Sequence, residues 1–238
     1  MIAPRKHRTN QPETNVAPPV FVFDAYGTLF DVHAAIAHHR EAAGPDADRL
    51  SELWRAKQLE YTWTLTLAGR YLDFWTLTEH EQALDHALAR LPSVQRGLRS
   101  KLLDAYLVLD AFADARACLR ELKRHGRHTA ILSNGSPRML DAAVAAARLA
   151  GELDAILSVD VIRMYKPRPE VYRLVTDAFA VGPGEVVFVS SNRWDVMGAA
   201  AFGFRAVWVN RAGAPDEYVE VPPVLVVPDL SRVTALVS

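Results

Sequence analysis

Val20-Phe21-Val22-Phe23-Asp24 is the stretch that decides the fold, because four consecutive apolar residues end directly on a carboxylate. An apolar run without polar alternation is typical of a parallel strand that is buried on both faces. Similar short runs recur toward the C-terminus, at residues 129–132, 155–159, 186–189, 206–209 and 224–227. The chain therefore predicts a sheet built from parallel strands.

Helical patterns fill the intervals between these runs. They cover residues 114–125, 137–149, 169–180 and 193–202. Gly126 and Gly203 follow two of these segments, as residues that terminate helices commonly do, and Ser136-Pro137 opens another as an N-cap followed by proline. Strands and helices that alternate with short connections predict an α/β fold with a doubly wound, mainly parallel sheet, a Rossmann-like core.

The stretch from residue 34 to residue 112 has a different pattern. It contains no convincing strand and little Gly or Pro, and it is typical of several amphipathic helices. A helical block inserted after the first strand would lie over the carboxyl ends of the strands, where ligands bind in such sheets. We therefore predict a flexible N-terminal leader at 1–18, a catalytic core at 19–33 and 113–238, and an α-helical cap domain at 34–112.

Composition excludes several classes of function. Half of the 238 residues are hydrophobic and 23% are charged, which excludes a mainly disordered chain. The formal net charge is −1, so no overall basic field attracts nucleic acid. No apolar run approaches the roughly 18 residues of a membrane span, so we expect no membrane partner. The single cysteine, Cys118, cannot form an internal disulfide, and we expect a cytoplasmic protein.

Polar residues follow four of the predicted strands at the points where those strands end. In chain order these residues are Asp24, Ser133-Asn134, Lys166 and the segment from Ser190 to Asp195. The carboxyl ends of parallel strands meet at one edge of a sheet, so we expect these side chains to share one crevice. Each residue alone has an ordinary structural explanation, such as an N-cap or a surface lysine. Their occurrence at four successive strand ends favours a functional site.

The predicted crevice contains the groups that a hydrolase with a covalent intermediate needs. Asp24 can act as the nucleophile. Lys166 can neutralise negative charge beside it. Asp195, with Ser190 and Asn192, can position or deprotonate a water molecule.

At these residues the sequence resembles the haloacid dehalogenase superfamily. The superfamily's motifs match, in order, at Asp24 and Thr28, at Ser133, at Lys166 and at Asp195. Longer stretches are similar to the L-2-haloacid dehalogenase branch, namely 24–33, 132–137, 188–192 and, in the predicted cap, 53–63. The resemblance covers essentially the whole chain from Val20 onward.

The resemblance implies a reaction in two steps. Asp24 attacks C2 of an L-2-haloalkanoic acid, displaces the halide and forms an ester with inverted configuration at C2. Water placed by Asp195, Ser190 and Asn192 then attacks the ester carbonyl. The products are a D-2-hydroxy acid and halide.

The resemblance also implies roles for residues around the substrate. Ser133 and Asn134 match positions that bind the substrate carboxylate. Arg55, from the cap, matches an arginine that assists at the carboxylate or the leaving halide. Ala56 departs from the pattern, because well-known members have glutamine there. An apolar pocket for the alkyl group would be formed by Tyr26, Leu59, Phe74 and Trp194.

Two further matches complete the expected site. Thr28 and Tyr172 match positions that orient Asp24 and Lys166. The expected partners are a small haloacid, its halide product and a second copy of the chain in a homodimer. We expect no cofactor.

Tyr26 separates this branch from the phosphatases of the superfamily. Phosphatases carry a second aspartate at that position, which serves as general acid and base and whose backbone helps to hold Mg²⁺. A phenol with a pKa of roughly 10 is a poor replacement for a carboxylate. Tyr26 therefore argues against phosphoryl transfer and against a required metal.

Three alternatives remain open at the level of sequence. The same ester mechanism could act on another small acid, such as a fluorinated acid or a strained cyclic amino acid. The protein could be a phosphatase of the superfamily, which Mg²⁺-dependent cleavage of an aryl phosphate would reveal. It could also bind a small acid without turning it over.

Overall fold

The central sheet has six strands, all parallel, in the spatial order β3-β2-β1-β4-β5-β6. A computed structural model of the chain describes residues 20–79 and 83–237. The strands are β1 (Val20–Phe23), β2 (His128–Ser133), β3 (Ala155–Ser158), β4 (Val186–Ser190), β5 (Arg205–Val209) and β6 (Leu225–Val227). The predicted α/β class and parallel sheet are confirmed. The predicted leader at 1–18 lies outside the described residues.

Strand β1 occupies the middle of the sheet, as its uninterrupted apolar sequence predicts. All four of its residues are buried, and it pairs with β2 on one side and β4 on the other. The backbone N–H of Asp24 still donates to the carbonyl of Val189 at 2.9 Å. The last ladder bond of β1 thus fixes where the Asp24 side chain leaves the sheet.

Helices of the core alternate with the strands. They are α7 (Ala115–Arg124), α8 (Pro137–Ala146), α9 (Pro169–Phe179) and α10 (Arg193–Phe202). Gly126 and Gly203 adopt positive φ angles of 68° and 106° just beyond α7 and α10, as their sequence positions predict. Ser136 is the N-cap of α8, but its hydroxyl is buried and caps nothing among the described residues. Proline at the first helical position thus starts α8 without a side-chain cap.

Between β1 and α7 the chain is helical, as predicted for a cap. The helices are α1 (Ala34–Ala37), α2 (Arg40–Ala43), α3 (Ala47–Leu67), α4 (Phe74–Glu79), α5 (Ala83–Arg90) and α6 (Arg99–Leu107). Leu50 and Trp54 of α3 pack with Leu84 of α5 and Tyr106 of α6 in the buried apolar cluster. The domain boundaries at residues 33 and 112 stay a prediction.

None of the described helices is both long enough and apolar enough to cross a membrane.

Candidate active site

Three of the predicted strand ends meet at one charged cluster. The ammonium of Lys166 lies 3.1 Å from Oδ1 of Asp24 and 2.8 Å from Oδ2 of Asp195. The Lys166 and Asp195 side chains are completely buried, and that of Asp24 is 8% exposed. The expected convergence of these residues at the carboxyl edge of the sheet is therefore confirmed.

Asp24 is held by side chains from three directions. Besides Lys166, Nδ2 of Asn192 donates to its Oδ2 at 2.8 Å, and the hydroxyl of Thr28 donates to the same oxygen at 3.3 Å. The Thr28 hydroxyl in turn accepts from the backbone N–H of Ser191 at 2.9 Å. The carboxylate is thereby fixed in one orientation at the end of β1, as a nucleophile requires.

Burial sets the protonation of the cluster. Loss of solvent, together with the charge of Asp24, raises the pKa of Asp195 to about 6, although Lys166 opposes this shift. Burial alone would lower the pKa of Lys166, but the charges of Asp195 and Asp24 outweigh burial and raise it. Lys166 is therefore a cation at neutral pH, and Asp195 is the carboxylate best able to accept a proton there.

Two predicted residues make contacts that the sequence did not specify. Tyr172 was expected to orient Asp24 or Lys166, but its hydroxyl donates to Oδ1 of Asp195 at 2.8 Å. The Oγ of Ser190 accepts from the backbone N–H of Asn192 at 3.1 Å, and its expected part in placing a water stays a prediction. Ser190 thus shapes the loop that presents Asn192.

A small cavity opens beside Asp24. Its volume is about 10 Å³, close to the minimum that one water molecule needs. It is lined by Asp24, Tyr26, Arg55, Leu59, Phe74, Ser133, Asn134, Asn192 and Trp194. All six residues that we expected to bind substrate therefore line this cavity together with Asp24, whereas Asp195 does not.

One end of the cavity is formed by the residues at the end of β2 and just after it. The Ser133 hydroxyl accepts from the backbone N–H of Gly135 at 3.0 Å, and Oδ1 of Asn134 accepts from the backbone N–H of Lys166 at 3.1 Å. These bonds leave the Ser133 O–H and the Asn134 NH₂ as donors. Both side chains can therefore bind an anion at the cavity wall.

Arg55 brings a cation from the cap to the same cavity. Its guanidinium lies 3.5 Å from the backbone carbonyl of Tyr26, which links α3 to the loop after β1. Ala56, the residue that departs from the family pattern, is exposed and does not line the cavity. The missing glutamine therefore leaves no gap in the described cavity wall.

An aromatic stack forms the apolar wall. The ring of Tyr26 stacks on Phe74 and on Tyr106, with centroids 6.0 and 5.9 Å apart. Burial, followed by the proximity of Tyr106, raises the pKa of the Tyr26 hydroxyl well above its usual value. Tyr26 is therefore a neutral wall residue and no acid or base at neutral pH.

The sequence does not single out Tyr106, although its ring stacks on Tyr26 at the cavity wall. Its hydroxyl donates to Oε1 of Gln58 at 3.2 Å, and Nε2 of Gln58 donates to the Thr78 hydroxyl at 3.0 Å. This buried polar chain fixes the ring behind Tyr26. A tyrosine far from every motif gave no sequence signal for this role.

The cluster does not suit the Mg²⁺ of superfamily phosphatases. The Lys166 ammonium lies between the two carboxylates that would bind the ion, and the carbonyl of Tyr26 already accepts from Asn192 at 3.1 Å. Within 20–79 and 83–237, no group of three His, Cys, Asp or Glu residues could hold a metal. Lys166 places positive charge against both carboxylates.

The comparisons with known proteins agree with this geometry. The family model for haloacid dehalogenase-like hydrolases matches residues 18–203. (S)-2-haloacid dehalogenase 1 of Pseudomonas sp. (strain CBS-3) is 52% identical over 202 residues, which cover 84% of this chain and 88% of that protein. (S)-2-haloacid dehalogenase 4A of Burkholderia cepacia is 48% identical over 202 residues, covering 84% and 87%.

A solved structure is similar over nearly the whole chain. It is that of L-2-haloacid dehalogenase from Xanthobacter autotrophicus with chloropropionic acid covalently bound. The TM-score is 0.83 at 39% identity, and the match covers 92% of this chain and 98% of that one. These matches show that the chain belongs to the haloacid dehalogenase-like hydrolases, in the L-2-haloacid dehalogenase branch.

Proposed function

We propose that this protein hydrolyses L-2-haloalkanoic acids to D-2-hydroxy acids and halide through an ester on Asp24, without a metal. The observation that carries the proposal is the buried carboxylate of Asp24, held by three donors at the wall of a cavity that Arg55 also lines. A relative in which chloropropionic acid is covalently bound supports the ester intermediate.

In the first step, Asp24 displaces the halide. An anion attacks an anionic substrate, so cations must offset the repulsion in a site that excludes water. Lys166 contacts Asp24 directly, and Arg55 reaches the cavity from the cap. We assign the substrate carboxylate to Ser133 and Asn134, which leaves Arg55 free to stabilise the departing halide.

In the second step, water hydrolyses the ester. Esterification removes the charge of Asp24, so Lys166 is then paired with Asp195 alone. We assign to Asp195 the proton released by the attacking water, because its raised pKa suits a general base. Asp195 is buried and does not line the cavity of the free protein, so this transfer requires the water to come within hydrogen-bond reach of it in the ester complex. Asn192, which lines the cavity beside Asp24, holds the ester oxygen.

The test is halide release from L-2-chloropropionate in excess EDTA, with the D enantiomer in a parallel reaction. We expect release from the L form alone, because inversion at C2 requires attack from one fixed side. Asp24→Asn keeps the shape of the side chain but lacks the attacking carboxylate, so it should fold normally and release no halide.

The alternatives predict different results in the same assay. Release that stops in EDTA and returns with Mg²⁺ would contradict the metal-free mechanism. If the protein turns over fluoroacetate but not L-2-chloropropionate, its substrate is a different small acid. Full activity of Asp24→Asn would refute the nucleophile.

Two expectations from the sequence stay predictions. A cytoplasmic location and a homodimer are both untested. The mass in solution, measured by light scattering at several concentrations, checks the second.

A further inference from the structure

The structure contains two adjoining spaces at the junction of cap and core, and they differ greatly in size. The inner cavity beside Asp24 has a volume of about 10 Å³. A second, apolar pocket of about 350 Å³ lies at the same junction. A haloacid is larger than the single water molecule that the inner cavity can hold, so binding of substrate requires the inner wall to move.

Trp194 is the side chain that separates the two spaces. It is the second residue of α10 and lines both the inner cavity and the outer pocket. Movement of this one indole would therefore join the small space to the large one.

Trp63 holds Trp194 from the cap side. The two indole rings meet edge to face, with centroids 5.5 Å apart and planes at 81°. Trp63 lies on α3, lines only the outer pocket, and its buried indole N–H donates to no described residue. The edge-to-face contact of the rings therefore holds Trp194 on the cap side, without a hydrogen bond from the Trp63 N–H.

The outer pocket has the chemistry of an alkyl-binding site. Besides the two tryptophans, its wall includes Thr66, Leu67, Tyr165, Pro167, Met197 and Tyr218. Lys166 and Arg168 also line it, but Lys166 is paired with Asp24 and Asp195, and Arg168 donates to Glu170. The remaining wall is mainly apolar and favours an apolar chain.

We propose that Trp63 is a positioning residue that sets the size limit of the substrate by holding Trp194, and that the outer pocket receives the alkyl chain of a larger acid when the pair separates. The proposal rests on the proposed function and adds to it a determinant of chain length. Trp63 lies outside the catalytic cavity, so it acts only through Trp194.

The experiment compares L-2-bromohexanoate with L-2-bromopropionate, which share a leaving group and differ only in chain length. In Trp63→Ala we expect the ratio of their kcat/KM values to rise about tenfold in favour of the long acid, since buried methylenes and an aromatic contact are each worth several-fold. Turnover of bromopropionate should change by less than about threefold, because the catalytic residues do not contact Trp63.

Matched variants separate this role from general packing. Trp63→Phe keeps an edge-to-face partner and should keep the wild-type ratio. Trp75→Ala removes a half-buried tryptophan of α4 that lines neither space, and it should also keep the ratio. If Trp63→Ala fails to fold, as judged by circular dichroism, Trp63→Leu replaces it, since leucine fills more of the space without an aromatic edge.

Two outcomes would overturn the inference: an unchanged ratio in folded Trp63→Ala or Trp63→Leu, or a loss of both activities to the same degree. A wild-type protein that is inactive on both acids would instead contradict the proposed function. The inference is then decided without turnover by calorimetry, because the dissociation constants of D-2-hydroxyhexanoate and D-lactate must shift in the same ratio if it is correct.

Discussion

Lys166 is the residue on which the electrostatics of the site depend. Its completely buried ammonium pairs with two carboxylates and lies 5.0 Å from the centroid of the Phe188 ring. Breaking a buried ion pair typically costs about 3–5 kcal/mol, because the remaining charge has no partner. Lys166 therefore needs at least one carboxylate partner, and when one carboxylate loses its charge the other still pairs with it.

The pH dependence of turnover should reveal Asp195. Its carboxyl has a pKa of about 6 in the free protein, and it accepts a proton only when ionised, so kcat should fall as pH drops below about 6 and stay flat above it. Esterification removes the charge of Asp24, which is one cause of the raised pKa of Asp195. The apparent pKa in the pH profile of kcat should therefore be equal to or lower than the one in the profile of kcat/KM. Stopped-flow halide assays across pH 4 to 8 measure both limbs.

Asp195→Asn supplies the control for this profile. The amide cannot take a proton from water, so the ester should accumulate and the intact protein should gain the mass of one carboxyalkyl group from the substrate. Tyr172 should still hold the amide by its hydroxyl. Steady turnover with an unchanged pH profile in this variant would exclude Asp195 as the base.

At this scale the sequence predicted the chemistry better than the contacts. Asp24, Lys166 and Asp195 could be found because each follows a buried strand. The partner of Tyr172 could not, because the sequence does not determine the angle between α9 and α10. The loop role of Ser190 was hidden for a similar reason, since a serine after a strand can face either the backbone or a ligand.

Among the elements, the close packing of α9 against α10 places the Tyr172 hydroxyl against Asp195. Gly198 of α10 lies where an added Cβ would be 2.5 Å from the Tyr172 hydroxyl and 2.6 Å from Cβ of Pro167. Only a residue without a side chain lets the two helices approach closely enough for Tyr172 to reach Asp195. Glycine is thus required at position 198 by the close contact between the helices, and not by its backbone angles.

Gly198→Ala should displace Tyr172 and lower both stability and turnover. Overpacking of a buried site typically costs about 1–3 kcal/mol, and loss of the Tyr172 bond should shift the acid limb of kcat. Thermal unfolding and the pH profile measure the two effects. Gly151→Ala is the matched control, because no atom lies within 4 Å of its added Cβ, and it should behave as wild type.

Element positions were predictable where the sequence contains terminators. Helix α7 ends at Arg124 and α10 at Phe202, just before Gly126 and Gly203, because the positive φ at each of these two positions favours glycine. Helix α8 ends at Ala146 instead of residue 149. An alanine-rich stretch has no local signal for its end, and the turn before β3 is fixed by tertiary contacts.

In the whole molecule, the cap is attached to the core by a group of tyrosines beside the site. The Tyr71 hydroxyl donates to the Asp160 carboxylate, and the Tyr165 hydroxyl donates to the carbonyl of Leu72 at 2.6 Å. The Thr66 hydroxyl also accepts from the backbone N–H of Tyr165 at 3.2 Å. These bonds hold the end of α3 and the start of α4 against the core.

Tyr71→Phe should loosen this attachment without touching the reacting groups. A hydrogen bond to a charged group is worth about 1.5–3 kcal/mol, less where it is partly solvated, as here. We expect faster amide hydrogen exchange in α4 and a severalfold higher KM, with little change in kcat. Tyr61→Phe is the control, since Tyr61 is also half-buried in the cap and its hydroxyl bonds to no described residue. Equal exchange rates in both variants would contradict the role of Tyr71.

The class of the fold followed from the alternation of apolar runs and helices, but the order of the strands did not. Each run from β1 to β6 is similarly apolar, so none specifies its neighbour. Pairing depends on how crossover helices pack on each face, which is a property of the complete sheet.

The central position of β1 has a consequence for how the protein is made. Val20 pairs with His128 on one side and with Val186 on the other, although both partners lie far beyond it along the chain. Contacts between such distant parts of a chain slow folding, because a long loop must close before they form. The helices of the cap can form on the ribosome, but the site around Asp24 cannot assemble until Lys166 and Asp195 have been synthesised. A nascent chain shorter than this has no assembled site, and a prematurely terminated product would expose the apolar edges of β1 to aggregation.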